Sequence, residues 1–513
     1  MKNLLKLFLI LFALTISGAS FISCEGEDGI NGIDGQDGQD GQDGQDGQDG
    51  QDGQNYTPTD ELFSNKSVLD PLVVINDGFS NVKAYSLISS FDVLPNGFRL
   101  VGAQDGAGLL KDGDEYIYVV NAEDDYGVSR IRFDENLNPI KGDWLLNAGV
   151  ADYARQCSAT MWEAAIHGGD KDIFLSASES IAYDVKAIDP WVETPTPTAD
   201  FGLDALGEFS WENAVPLPKD AYSGKTVIIG GDDDSSGSQG QVIMYLSENN
   251  DADLENGKIH VLRFKQVSDG AGGVQAVTAS TVYNEGNLDF QQTYDVEFVE
   301  IVDGAAMTKD EMETACTDVF ASQFMRVEDV DYQKGNDANA RNVFFAVTGR
   351  GPGAGTYNDW GTVYKLELDE TNPLEGKLTQ VISGNTDTNN MDGNLAALQS
   401  PDNICVTENY IYTQEDPNSF SRGHAAQIYQ TDLDGNNAAV VLELKIENNL
   451  DPTGSTGFSG EFGALIDVSE KVGVADTFIL NLQPHYWESD EFVSTNLPHN
   501  QGGQIVLLQG LPR

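Results

Sequence analysis

Positive charge is scarce in this sequence: 28 lysines and arginines face 83 aspartates and glutamates, for a formal net charge of -55. A surface of that sign repels a phosphate backbone, so nucleic acid is excluded as a partner. Long apolar runs are also missing, because the stretch 7–16 falls short of the roughly 20 residues that a membrane-spanning helix needs. Cysteine is limited to Cys24, Cys157, Cys316 and Cys405. With Cys24 set aside, three remain, an odd number for an oxidising compartment. One thiol is then left over as a buried core residue or a protected metal ligand. No proline-rich or charge-rich linker interrupts residues 55–513, and helix signals are few, the best covering 308–317. One large domain dominated by strands is the expectation.

Lys2 and Lys6 flank the start of the apolar run, and small residues lead into Ser23 and Cys24. That order is the charged, apolar and cleavage-site sequence of a secretory signal covering 1–23. Cys24 after a small residue is similar to the lipobox of bacterial lipoproteins. Glu25, Glu27 and Asp28 are similar to the acidic export signal of surface lipoproteins in some Gram-negative bacteria. The expectation is a lipidated Cys24 as the sole membrane contact, and a place in the cell envelope, on the outer membrane and facing outward. Residues 24–54 carry glycine at every third position from Gly26 to Gly53, mostly as Gly-Gln-Asp. The period is that of collagen, but proline is absent and the aspartates would stack on three chains with no lysine to answer them. A hydrated spacer is the expected reading.

Beyond the spacer, β-rich runs at 116–120, 226–229, 242–246, 343–347 and 410–412 alternate with turn clusters at 134–136, 255–257 and 432–436. Such alternation over this length points to a sandwich array or a propeller. Gly240 and Gly361 each open a strand of the form G-x-V/I-x-Y/V-L, which favours repeating four-stranded blades. The fold expected over 55–513 is all-β, a single large β-propeller of about six blades.

Seven segments, in order between about 98 and 486, carry a family likeness. They are Tyr118-Val119-Val120-Asn121-Ala122-Glu123; Cys157 to Trp162 followed by 174–179; 206–214; Phe324-Met325-Arg326-Val327-Glu328-Asp329; Ser400-Pro401-Asp402-Asn403; Gly460-Glu461-Phe462; and Asn481-Leu482-Gln483-Pro484-His485. Together they resemble the PhoX-type alkaline phosphatases, β-propeller enzymes that hold iron and calcium in a central site. The resemblance implies Ca²⁺ and Fe³⁺ as cofactors and a small phosphorylated substrate. It implies Arg326 at the phosphate and Cys157, Glu212, Glu328 and Glu461 at metal, with Glu179, Asp232, Asp233 and Asp402 as further metal ligands. Trp211 and Ala122 stand where the family has histidines, Glu208 where it has arginine, Val327 where it has proline, and Glu163-Ala164 where it has Gly-Thr.

The residue chemistry points the same way on its own terms. A phosphate ester meeting so acidic a protein is repelled unless metal ions supply local positive charge. Converging carboxylates are hard oxygen ligands suited to calcium, and a thiolate at Cys157 suits a transition metal. Arg326 offers a planar fork for two phosphate oxygens. For Asp232-Asp233-Asp234, running into Ser235-Ser236, a solvated polar loop is the alternative. His485 and Trp487 are read as structural, and Gly349-Arg350-Gly351 as a turn lacking the context of a phosphate loop. Cys316 and Cys405 are expected to pair. Two functions follow: a surface phosphatase, or a non-catalytic, calcium-stabilised binding propeller.

Overall fold

The computed structural model describes residues 59–513 apart from 124–126, 148–154, 181, 197–200, 238, 279, 352, 354, 387–392, 418–419, 448–449, 451–459 and 493–500. The leader, Cys24 and the glycine repeat lie outside the described residues. In chain order the strands are β1 (Val73–Ile75), β2 (Lys83–Ser89), β3 (Gln104–Asp112), β4 (Glu115–Ala122), β5 (Gly127–Phe133), β6 (Pro139–Leu146), β7 (Ala159–Trp162), β8 (Ile173–Ala177), β9 (Val185–Ile188), β10 (Trp211–Pro216), β11 (Thr226–Asp232), β12 (Val242–Ser247) and β13 (Lys258–Phe264). They continue with β14 (Gln266–Ser268), β15 (Val274–Ala276), β16 (Thr293–Glu300), β17 (Val327–Tyr332), β18 (Asn342–Val347), β19 (Thr362–Leu368), β20 (Glu375–Ser383), β21 (Pro401–Val406), β22 (Tyr410–Glu415), β23 (Gln427–Asp432), β24 (Ala439–Leu444), β25 (Glu461–Asp467), β26 (Thr477–Gln483) and β27 (Gln504–Gln509). Among the described residues no helix is long and apolar enough to cross a membrane.

The strands form antiparallel meanders in a propeller-like arrangement. β3 to β6 make one sheet, β7 to β9 another, and β21 to β24 a third that β1 extends. β25, β26 and β27 are completed by β2 from the other end of the chain. The runs β10–β13 and β17–β20 are two further meanders, fused through β16 into one nine-stranded sheet. Burial follows position. β11 and β12, flanked on both sides, are buried at every residue, whereas β16 alternates between buried and half-buried residues as a strand with one wet face does.

The first strands of the meanders pack side by side in a closed ring, β3 on β7, β7 on β10, β10 on β17, β17 on β21, β21 on β25 and β25 on β3. Glycine permits the close approach. A Cβ on Gly106 would sit 2.1 Å from Ala159 N, and one on Gly463 would sit 2.6 Å from Gln104 O. The expected helix is Lys309–Asp318, started by a Thr308/Glu311 capping box. The expected Cys316–Cys405 bridge is corrected: both thiols are free and buried. Cys316 packs in the core around that helix and Cys405 in the core around β21 to β27, so two separate apolar clusters hold them.

Candidate metal centre

Each strand of the inner ring carries a ligand-bearing residue at its start. Asp105, Glu212, Glu328 and Asp402 are second in β3, β10, β17 and β21, Glu461 is first in β25, and Cys157 stands two residues before β7. In four of these strands the pairing register slips across the acid and its successor, at Asp105-Gly106, Glu212-Asn213, Glu328-Asp329 and Asp402-Asn403. Such a bulge re-aims side chains that a regular strand would send to alternate faces. The successors Gly106, Asn213, Asp329 and Asn403, with Ser158, line a half-open cavity of about 750 Å³ between the inner strands.

A second set of acids comes from just beyond the second strands. Glu123 follows β4, Glu179 follows β8, Asp233 follows β11 and Asp416 follows β22. Their N–H groups donate to Ala103 O, Arg155 O, Ser210 O and Ser400 O, each two residues before an inner-strand ligand. This backbone bond, made in four of the meanders, brings a second acid beside each inner ligand. Among the described residues four triads of ligand-capable atoms result, each within 4.8 Å: Asp105, Glu123 and Cys157; Cys157, Glu179 and Glu212; Glu212, Glu328 and Asp402; Asp402, Asp416 and Glu461. Cys157, Glu212 and Asp402 each belong to two triads, which joins all four into one belt.

The belt is short of positive charge. Nine carboxylates, those of the triads together with Asp233, face the guanidiniums of Arg155 and Arg326. Arg326 is fixed by its neighbours: Phe324 packs edge-on against Phe264, Phe345 and Tyr364, and Met325 N donates to the buried carboxylate of Glu285. Its guanidinium grips Asp233 with Nε at 2.6 Å and Nη2 at 2.9 Å. Arg326 Nη2 is also 2.9 Å from Glu328 Oε1, close enough for an ion pair but without hydrogen-bond alignment, so that oxygen has no hydrogen-bond donor. Arg155 Nη1 approaches Glu179 Oε2 at 3.5 Å.

Burial raises the pKa of the following six carboxyls and of the Cys157 thiol. Glu179 is pushed up to about 8, chiefly by burial and then by Asp233 and Glu123. Asp105, Glu212, Asp402 and Glu461 lie well above the usual carboxylate range, each by burial first and nearby carboxylates second. Glu328 is also raised, by burial against the opposing pull of Arg326. The Cys157 thiol, donating to Glu179 Oε1 at 3.1 Å, is raised by burial. These are donor groups that repel one another until protons or cations intervene. The set fits metals: the all-carboxylate triads suit a hard cation, and the triad with Cys157, Glu179 and Glu212 suits a transition metal.

Of the residues read from the sequence, Cys157, Glu179, Glu212, Glu328, Asp402 and Glu461 enter the triads, and Arg326 and Asp233 sit against them. Asp232 is not brought to the belt. As the last residue of β11 it accepts Ser210 N at 2.9 Å and feels Lys309, which also bridges Asp234 and Glu313. Asp105, Glu123 and Asp416 are additional members that the sequence reading did not single out as ligands. Trp211, at a family histidine position, is buried and its indole donates to Gly207 O, a structural role. Glu208 accepts Lys309 N at the start of the helix. His485 bridges Glu461 at 3.2 Å and Gln501 at 2.8 Å.

No protein-family model and no curated protein matches the sequence. Among solved structures, the chain is similar to PhoX from Pseudomonas fluorescens, in complex with vanadate, a transition state analogue. The TM-score is 0.61 and the identity 13%, over 88% of this chain and 99% of that one. It also aligns with the PQQ-bound aldose sugar dehydrogenase of Streptomyces coelicolor, with a TM-score of 0.35 and 11% identity over 83% and 98% of the two chains. A glycoside hydrolase family 93 arabinofuranosidase from Fusarium graminearum gives a TM-score of 0.37 and 9% identity over 85% and 98%. With the inner ring on one side and the PhoX alignment on the other, the chain has a PhoX-like, propeller-type fold.

Proposed function

We propose that this chain is a metal-dependent phosphatase, with calcium and iron held by the acidic belt of a six-bladed propeller spanning 55–513. One observation carries the reading: a thiol and nine carboxylates from separate sheets converge beside two guanidiniums in a PhoX-like fold. Cys157, Glu179 and Glu212 would hold the iron. Glu212, Glu328 and Asp402, and then Asp402, Asp416 and Glu461, would hold calcium. The bound cations supply the positive charge that draws in a phosphate ester and stabilises charge on its oxygens. Asp233 and Glu328 hold Arg326 at the edge of the belt, where its guanidinium orients the anion. Cys24 carries the lipid, residues 24–54 are the spacer, and the domain faces outward from the outer membrane of the cell envelope.

The test is hydrolysis of p-nitrophenyl phosphate by the full chain. The expected result is turnover that EDTA abolishes and that Arg326→Ala and Cys157→Ala each lower by at least about 100-fold. A second reading, a calcium-stabilised binding propeller without catalysis, draws on the engagement of Arg326 by Asp233 and Glu328. Calcium binding with no turnover on any phosphate ester would select it. Palmitate labelling that persists in Cys24→Ala would remove the anchor.

A further inference from the structure

Arg155 occupies, in its own sheet, the place that Arg326 occupies in another. Each stands two residues before a belt ligand, Cys157 in one case and Glu328 in the other. Each has a positive φ, 53° at Arg155 and 68° at Arg326. The carbonyl of each accepts an N–H from just beyond the second strand of its sheet, Glu179 N to Arg155 O at 3.2 Å and Thr348 N to Arg326 O at 3.1 Å. At the same place in other sheets stand Ala103, Ser210 and Ser400, which bring no charge. Ala103 and Ser400 share the positive φ, at 55° and 38°, so the turn belongs to the fold and what sets the two arginines apart is their charge.

The two arginines differ in how firmly they are held. Arg326 is 22% exposed and is gripped by Asp233 through two nitrogens, with Glu328 beside it. Arg155 is 58% exposed and makes looser approaches, 3.5 Å to Glu179 and 4.0 Å to Glu123. Both guanidiniums bear on Glu179, so their charges lie over the same stretch of the belt. Cations held by Glu179 and Glu123 would compete with Arg155 for those oxygens and leave its fork to an anion.

We propose that Arg155 is the second anion-binding guanidinium of this site, gripping two terminal oxygens of a phosphoryl group from the solvent side while Arg326 stays fixed beneath. The proposal rests on the phosphatase reading above. A bidentate guanidinium contact to phosphate is among the stronger charge-assisted hydrogen bonds.

Calorimetric titration of inorganic phosphate into the full-length, metal-loaded protein tests it. Arg155→Ala is expected to weaken phosphate binding by about 10- to 100-fold, and Arg155→Lys to recover part of that loss. The KM for p-nitrophenyl phosphate should rise more than kcat falls, with metal content and melting temperature unchanged. If the wild type binds phosphate and Arg155→Ala binds it equally well, the proposal fails while the phosphatase reading stands. It also fails if Arg155→Ala loses metal in step with phosphate, since the residue would then be part of the scaffold. Wild-type protein that binds no phosphate and hydrolyses no ester removes both readings together.

Discussion

Glu328 and Asp329 are neighbours on β17, both buried, and they live in opposite circumstances. Asp329 has its oxygens answered by the protein: Asn213 Nδ2 donates at 2.6 Å, Val330 N at 2.7 Å and Ile404 N at 3.1 Å. Glu328 Oε1 has only the unaligned guanidinium of Arg326, and around it stand Glu212, Asp233 and Asp402. A buried acid satisfied by fixed donors is part of the frame. A buried acid surrounded by other acids has a place for a cation.

The contrast is sharpest in the variant Asp329→Ala, which should cost about 2–3 kcal/mol in chemical denaturation because it leaves Asn213 Nδ2 and Ile404 N without their acceptor on the cavity wall. Folded Asp329→Ala should keep its metal; a stability loss below about 1 kcal/mol would break the comparison. The opposite sign is expected from the double variant Glu212→Gln and Glu328→Gln. Stripped of metal, it should melt higher than wild-type protein, since two mutually repelling buried acids are gone, while binding calcium at least about tenfold more weakly. A lower melting point in EDTA would contradict that account.

Burial raises both kinds of acid, Asp329 to about 7 and Glu179 to about 8; fixed donors oppose the rise at Asp329, whereas neighbouring carboxylates add to it at Glu179. Glu179, raised by burial to about 8 from an ordinary 4.5, keeps its proton in the folded state over a range where the unfolded chain has lost it. The contribution of Glu179 to the stability of metal-free protein is therefore fully present below pH 4.5 and is lost as pH rises toward 8. Calcium should flatten that slope by stabilising the charged form, and melting curves between pH 5 and 8 with and without calcium measure both. A slope of the opposite sign would place the belt in its charged form without metal. The smallest effect belongs to an ion pair outside the belt: Lys258→Ala, which breaks an exposed contact to Glu300 on β16, should change stability by less than about 0.5 kcal/mol.

The strands were legible wherever an apolar run ended in a turn cluster, and the runs at 226–229, 242–246 and 343–347 lie within β11, β12 and β18. The longest helix among the described residues, Lys309–Asp318, falls where the best helix signal lay, at 308–317. Six of the metal ligands named from the sequence meet in the belt because they sit in short motifs at strand ends, five at or just before the start of an inner strand and Glu179 just beyond β8, where the resemblance was densest. Asp105, Glu123 and Asp416 were harder to single out, since an acid at a strand end reads as an ordinary turn residue. What selects them is the register slip and the tether to the neighbouring strand, and both are tertiary features. Asp232 illustrates the converse: three consecutive aspartates look equivalent in sequence, yet successive residues turn apart, one toward Lys309 and the next toward Arg326. The cysteines teach the same point, because parity suggested a bridge while two distinct cores keep Cys316 and Cys405 apart.

Whether cations occupy the belt is measured most directly by elemental analysis of the purified full-length protein, prepared without added metal. The account predicts calcium and a redox metal in fixed ratio to protein, with the redox metal lost in Cys157→Ala and calcium depleted in Asp402→Asn. Folded wild-type protein that carries neither element, and takes up none on dialysis against calcium and iron, would contradict it.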